Sequence, residues 1–441
     1  MSDLVVSGNG RFLVNKNGAP FFYLADTAWE LIHRLTREDA EIYLSCRASQ
    51  GFTVIHTVLL AEFAGLTAPN AYGDLPLIEM DPERPVQDYF LHADWVIDRA
   101  AAHGIIVGLL PTWGDKVPGS GWGDGPIVFT PENAFRYGKF LGSRYRDKSV
   151  LWIIGGDRPV ESSEARIVWE SLARGIKAAG AEQLMLFHPP GGKSSSDYFY
   201  DADWLDANMT QSGHTGFTPN YRMIQEDYSL TPMKPCMDGE PCYENHPVMS
   251  PQWTPTSEWF GEYESRRAAY WSLFSGSHGH TYGCHDVWQF LDGSREAVNA
   301  ARTPWKKAVQ LPAASQMRHA RALMLSRPFL SRIPDHELIE SSLANDQSYV
   351  AATRAVDGSY AFIYSPDGNP FVVNLSLLSG DCLQFRWFDP RTGTPTTPIE
   401  LDRRSTIFTP PQDDGPDWVL VIDDKSQNFP APGAFFDQPK Q

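Results

Sequence analysis

Basic residues, cysteine and long apolar stretches are all in short supply in this chain. Lysine and arginine number 37 against 54 aspartates and glutamates, a formal net charge of −17 over 441 residues. So acidic a chain repels phosphate backbones, which argues against nucleic acid as a partner. It also offers no generic basic patch for an anionic membrane. The longest apolar runs, such as residues 105–110, fall far below the roughly 20 residues of a bilayer span. Cysteine occurs five times (Cys46, Cys236, Cys242, Cys284 and Cys382), an odd number with no CxxC or other metal-ligand spacing. The opening Met1-Ser2-Asp3-Leu4 shows no basic segment leading into an apolar one. Reduced thiols and a cytoplasmic location are the resulting expectation. No Gly-x-Ser-x-Gly elbow is present, which argues against a serine esterase, and no motif calls for a cofactor.

What the chain has in quantity is aromatic surface, 12% of residues with 14 Trp, and a repeating unit. Aromatics are mostly core payload, though an indole also suits the C–H face of a sugar. A hairpin is expected over residues 3–20, turning at Gly8-Asn9-Gly10. Eight strand-like segments then alternate with helical stretches: 21–25, 52–60, 105–110, 150–155, 184–187, 207–210, 235–237 and 279–282. Thr36, Thr130 before Pro131, and Thr218 before Pro219 are placed to cap helices. Gly104 stands where a left-handed helix terminus belongs. Between residues 161 and 179, Ile167, Val168, Leu172 and Ile176 share one helical face.

Strands alternating with helices imply a parallel sheet. Eight units within about 280 residues suggest a (β/α)₈ TIM barrel. The rival is an open doubly wound sheet, which would want a glycine-rich phosphate loop after its first strand; here that strand runs into Ala25-Asp26-Thr27-Ala28-Trp29. Beyond about residue 330 the pattern becomes short strands between turns, a small all-β sandwich. The domain expectation is a barrel over 1–325, a β-sandwich over 335–425 and a tail over 426–441. The helical stretch 313–325 is the expected joint.

In such a barrel the chemistry sits at the C-terminal ends of the strands. The residues there are unusually polar and include Asp26, Glu62, Asp115, Asp157, His188, Gln211, His214, Asp238, Glu240, His280 and Tyr282. Asp157 ends the fourth strand after Gly155-Gly156, and Glu240 ends the seventh after Gly239. Strands four and seven face each other across a barrel mouth, so the two acids can flank one glycosidic bond. One carboxyl must be neutral to protonate the leaving oxygen, the other ionised to attack carbon or activate water. For either acid alone, a helix cap or a solvated loop position is an equally good account. Trp29 and Trp113 are expected on the rim, with Asp26, His188, Gln211, His280 and Tyr282 as partners for sugar hydroxyls. Two other classes compete with a glycosidase. A non-catalytic carbohydrate-binding barrel would need no converging carboxylates. A metal-dependent hydrolase could recruit His278, His280, His285 and Asp286, but would usually want an HxH pair on the first strand, which is missing. No metal site is therefore expected.

Four segments carry a family resemblance: Leu24-Ala25-Asp26-Thr27-Ala28-Trp29-Glu30, Trp152-Ile153-Ile154-Gly155-Gly156-Asp157, Asp238-Gly239-Glu240-Pro241-Cys242-Tyr243-Glu244, and His278-Gly279-His280-Thr281-Tyr282-Gly283. They resemble the apiosidase-like glycoside hydrolases, family 140, over roughly residues 5–325. That resemblance implies a retaining hydrolase with Asp157 as acid/base and Glu240 as nucleophile. It also implies a plant cell-wall glycan as substrate, apiose being the sugar characterised in that family.

Overall fold

The computed structural model describes residues 4–340, 347–403, 406–412 and 415–440. Asp3, the first residue of the expected hairpin, lies outside the described residues, as do 341–346, 404–405 and 413–414 of the expected β-domain. The hairpin pairs Leu4–Val6 with Leu13–Asn15.

Eight parallel strands follow: β1 (Tyr23–Thr27), β2 (Val54–Leu60), β3 (Ile106–Thr112), β4 (Val150–Gly155), β5 (Met185–His188), β6 (Asn208–Gln211), β7 (Cys236–Asp238) and β8 (Gly279–Tyr282). Six of them form one sheet in the order β8-β1-β2-β3-β4-β5, and β6 pairs with β7. Backbone bonds from Asp206 N to Met185 O (2.9 Å) and from His278 N to Cys236 O (3.0 Å) join the two groups and close the ring. The architecture is a (β/α)₈ barrel with a C-terminal antiparallel sheet domain. The strands read as unbroken apolar runs because both of their faces are buried. Tyr23, Ala25, Val54, Val58, Leu151, Ile153, Leu186 and Met209 fill the barrel interior. Their neighbours Leu24, Ile55, Trp152, Ile154 and Phe187 pack outward under the helices. This period-2 alternation decides which strand-end side chains can reach the mouth.

Thr36 caps helix α1 (Arg37–Ser49), and Thr130 forms a reciprocal capping box with Asn133 on α2 (Pro131–Tyr145). Thr218 does not act as a cap: the helix Asn220–Ser229 starts after Pro219, and the Thr218 hydroxyl bonds the Thr215 carbonyl instead. The expected face of α3 (Ser163–Ala178) buries Val168, Leu172 and Ile176, while Ile167 is exposed.

The C-terminal sheet is built on Ala351–Ala355, Tyr360–Ser365, Trp418–Asp424 and Leu383–Asp389. A two-stranded ribbon, Phe371–Val372 with Ile407–Phe408, contributes to the core on its outer face. The inner face packs on the barrel through α4 (Glu262–Phe274), where Tyr270 stacks on Tyr364 (5.0 Å) and Phe274 on Phe362 (6.0 Å). The stretch expected as the joint, 313–325, falls on the helix Pro312–Met324 beside α4, and α4 carries these ring stacks. Two buried forks tie the sheet down: Arg266 on Asp417 (2.9 and 2.9 Å) and Arg327 on Asp423 (2.7 and 2.8 Å).

Candidate active site

Glu240 follows β7, and each of its carboxylate oxygens accepts from one imidazole. His188 Nε2 donates to Oε2 and His214 Nε2 to Oε1, both at 3.0 Å. His188 ends β5 and points inward because Leu186 does, two residues earlier. Its other nitrogen, Nδ1, accepts from the Asp157 amide at 3.3 Å. That contact fixes the neutral Nε2–H tautomer, so a single ring positions the backbone of one acid and the carboxylate of the other. Burial pushes the Glu240 carboxyl up, but the hydrogen bonds from the two imidazoles prevail and lower it to about 2. The acid is ionised at any ordinary pH.

Asp157 comes at the end of a strained turn. Gly155, Gly156 and Asp157 have φ values of +92°, +143° and +50°. A Cβ on Gly155 would lie 2.5 Å from the His188 carbonyl oxygen, and one on Gly156 would lie 2.8 Å from Gly114 N. Glycine is thus required at both positions, whereas Asp157 accepts a left-handed backbone at an energetic cost typical of functional sites. The residue as a whole is half-buried. Burial and the neighbouring negative charge of Glu240 raise it to about 7, against hydrogen bonds with Gln211 and the Gly191 backbone. The two carboxyls therefore titrate far apart.

Both acids line one recess of about 380 Å³, walled by indoles that include Trp29, Trp113, Trp122 and Trp288. Trp29 lies over His56 (5.7 Å, 26° between planes), which meets the Tyr23 hydroxyl at 2.6 Å. A wider groove of about 1210 Å³ adjoins the recess. Asp157, Gln211, His214, Trp122 and Trp253 line both spaces, while Glu240 lines the recess alone. Trp122 is carried on the glycine-rich loop Gly119-Ser120-Gly121-Trp122-Gly123-Asp124-Gly125. Arg158, next to Asp157, staples that loop by donating to the carbonyls of Gly119 (3.1 Å), Trp122 (2.7 Å) and Gly123 (2.7 Å). The Trp122 indole N–H donates to Glu62.

Of the seven expected sugar contacts, Trp29, Trp113 and Gln211 line the recess. His188 does not; it is wholly buried and holds Glu240. Asp26, His280 and Tyr282 are corrected by strand parity. In the β8–β1 register His280 pairs with Leu24 and Tyr282 with Asp26, so all three share the outward face of Leu24. Asp26 accepts from Arg47 (2.7 Å) and Tyr43 of α1. The Tyr282 hydroxyl donates to Glu244 (2.6 Å). Burial lowers the His280 imidazole to about 3. Sequence reasoning passed over His214, Glu62, Trp122, Tyr243, His246 and Trp253 as site residues. His214 and Glu62 were visible as strand-end polar groups, and Trp122 stands among glycines that free a loop to approach the site. Among the described residues, no group of three or more His, Cys, Asp or Glu is arranged to hold a metal ion. His278 Nδ1 donates to the Cys236 carbonyl, and His285 Nε2 to those of Val298 and Asn299.

Residues 7–331 match the family described as "Apiosidase-like, catalytic domain". The chain belongs to the apiosidase-like family. Residues 333–423 match a second family, described as "Putative collagen-binding domain of a collagenase". This apiosidase-like chain is 32% identical to a glycoside hydrolase family 5 structure from Bacteroides vulgatus ATCC 8482, covering 99% of this chain and 97% of that one (TM-score 0.87). It is 33% identical to another structure described as a glycoside hydrolase, covering 96% and 97% (TM-score 0.86). None of the curated proteins compared with it matches. The apiosidase-like chain is a glycoside hydrolase.

Proposed function

We propose that this glycoside hydrolase cleaves a glycosidic bond in a plant cell-wall glycan by retaining double displacement, Asp157 serving as acid/base and Glu240 as nucleophile. The observation that carries this is the opposite displacement of two carboxyls lining one recess, Asp157 raised and Glu240 lowered. Two titratable groups pushed apart in this way take the roles of acid and ionised partner, and the family likeness makes that partner a nucleophile. Glu240 is held ionised at both oxygens, as an attacking carboxylate needs. Asp157 is protonated up to near-neutral pH, as a leaving-group acid needs, and later removes a proton from water. The cavities fit the same assignment. The sugar being attacked belongs in the recess beside Glu240, and the leaving group belongs in the groove that Asp157 reaches and Glu240 does not. Apiose, the sugar implied by the family likeness, is the first candidate. A non-catalytic sugar-binding barrel is disfavoured, since it has no use for two converging acids of opposite protonation.

The test is hydrolysis of a panel of aryl furanosides, aryl pyranosides and pectic oligosaccharides, with NMR observation of the first anomer released. Retention is expected, with Glu240→Gln inactive. An inverted first product, or a Glu240→Gln protein of undiminished activity, would refute the assignment.

A further inference from the structure

Glu62 is a third carboxyl of the recess that the mechanism above leaves without a task. It follows β2 and is 2% exposed. One oxygen, Oε2, accepts from the Trp122 indole N–H. Among the described residues no group hydrogen-bonds the other. Among the described residues no lysine or arginine lines the recess, nor the groove beside it. Lys116, whose charge Glu62 feels, is already committed to Asp115 at 2.6 Å, both fully buried. The acids whose charge acts most on Glu62 are Glu30, Asp115 and Asp157. A carboxylate placed there would be desolvated, unpaired and crowded by like charge, three conditions that each favour the neutral acid.

We propose that Glu62 is a specificity-determining residue: its free carboxyl oxygen donates a hydrogen bond to a hydroxyl of a neutral sugar in the recess, while the other holds Trp122 in place, and the site thereby rejects uronic acids. The direction of its titration agrees. Burial first, then the charge of Glu30, hold the Glu62 carboxyl well above the usual carboxylate range. A uronate would bring another negative charge to a recess that already holds ionised Glu240 and, among the described residues, has no lysine or arginine to receive it. A neutral sugar meets a donor in Glu62, a carboxamide in Gln211 and indole faces for its C–H surface. The inference uses the sugar-in-recess part of the proposed function but not the catalytic roles of Asp157 and Glu240.

Binding without turnover separates the two. Tryptophan fluorescence of the full-length protein is titrated with free apiose, arabinose, xylose, galactose and rhamnose, and with galacturonate and glucuronate. At least one neutral sugar should quench, and neither uronate should do so at the same concentration. Glu62→Gln keeps an acceptor for Trp122 and an N–H donor for the sugar, so its affinity should stay within about threefold of wild type. Glu62→Leu removes both and should bind roughly ten- to a hundredfold more weakly, the scale of one lost hydrogen bond plus one orphaned indole N–H. Four results would overturn the proposal: uronates binding as well as neutral sugars, Glu62→Gln falling as far as Glu62→Leu, Glu62→Leu binding like wild type, or no neutral sugar binding at all. If binding follows the expected pattern while Glu240→Gln still hydrolyses, the catalytic assignment fails and this one stands.

Discussion

Replacing His188 with alanine should change the pH profile in a way that a merely structural residue would not. The substitution deletes one of the two donors to Glu240 and the acceptor of the Asp157 amide. A hydrogen bond to a charged group contributes about 1.5–3 kcal/mol. At about 1.36 kcal/mol per pH unit, its loss raises the Glu240 carboxyl by about one to two units. In wild type the alkaline limb of kcat/KM should fall as pH rises through about 7, where Asp157 loses the proton it must donate. The acid limb should lie far lower, because Glu240 must protonate before the nucleophile is lost. In His188→Ala the acid limb moves up by those one to two units. The plateau also drops, since the Asp157 amide is left without a partner beside a strained turn. An orphaned buried donor costs about 1–3 kcal/mol, which corresponds to a fall of about ten- to a hundredfold if it appears in the transition state. His188→Gln retains an amide donor and an amide acceptor and should recover part of both effects. The assay is kcat/KM from pH 3 to 9 on the best substrate of the panel. A uniform drop with both limbs unmoved would refute the linkage through this imidazole. A shift confined to the alkaline limb would show that the ring acts on Asp157 alone.

Two further outcomes test how the site and its support are built. Asp417→Ala leaves the Arg266 guanidinium buried without its carboxylate and should cost about 3–5 kcal/mol, seen as a lower urea midpoint at unchanged m. The double variant Arg266→Met/Asp417→Leu should recover most of that loss, and a single variant within 1 kcal/mol of wild type (~0.7 of a tenfold step) would show that the fork does not clamp the two domains. Arg158→Ala releases three carbonyls of the Trp122 loop and should raise KM roughly tenfold with a smaller change in kcat, on the scale of a lost charged hydrogen bond. An unchanged KM would mean that the loop holds its place without Arg158.

The amino-acid sequence by itself determined the alternation of strands and helices, because burial on both faces writes continuous apolar runs that local reading detects. Segments 150–155 and 279–282 coincide with β4 and β8, and the other six overlap their strands within a few residues. The glycines before Asp157 and Glu240 were likewise local signals. Strand parity was not, since a residue or two decides whether an end side chain faces the mouth or the helices. Asp26 and Tyr282 are polar for the outward layer, where Arg47 and Tyr43 donate to Asp26 and Glu244 accepts from Tyr282; His280 shares that face. Only the closed ring brought His188 and Glu240 together across 52 residues of chain, and His214 to the same carboxylate across 26. The opposite titration of Asp157 and Glu240 belongs to that ring as well: each shift is set by how deeply the group is buried and by charges and donors that arrive from other strands. A linear sequence names the acids; the low-dielectric enclosure built by tertiary contacts decides which one keeps its proton.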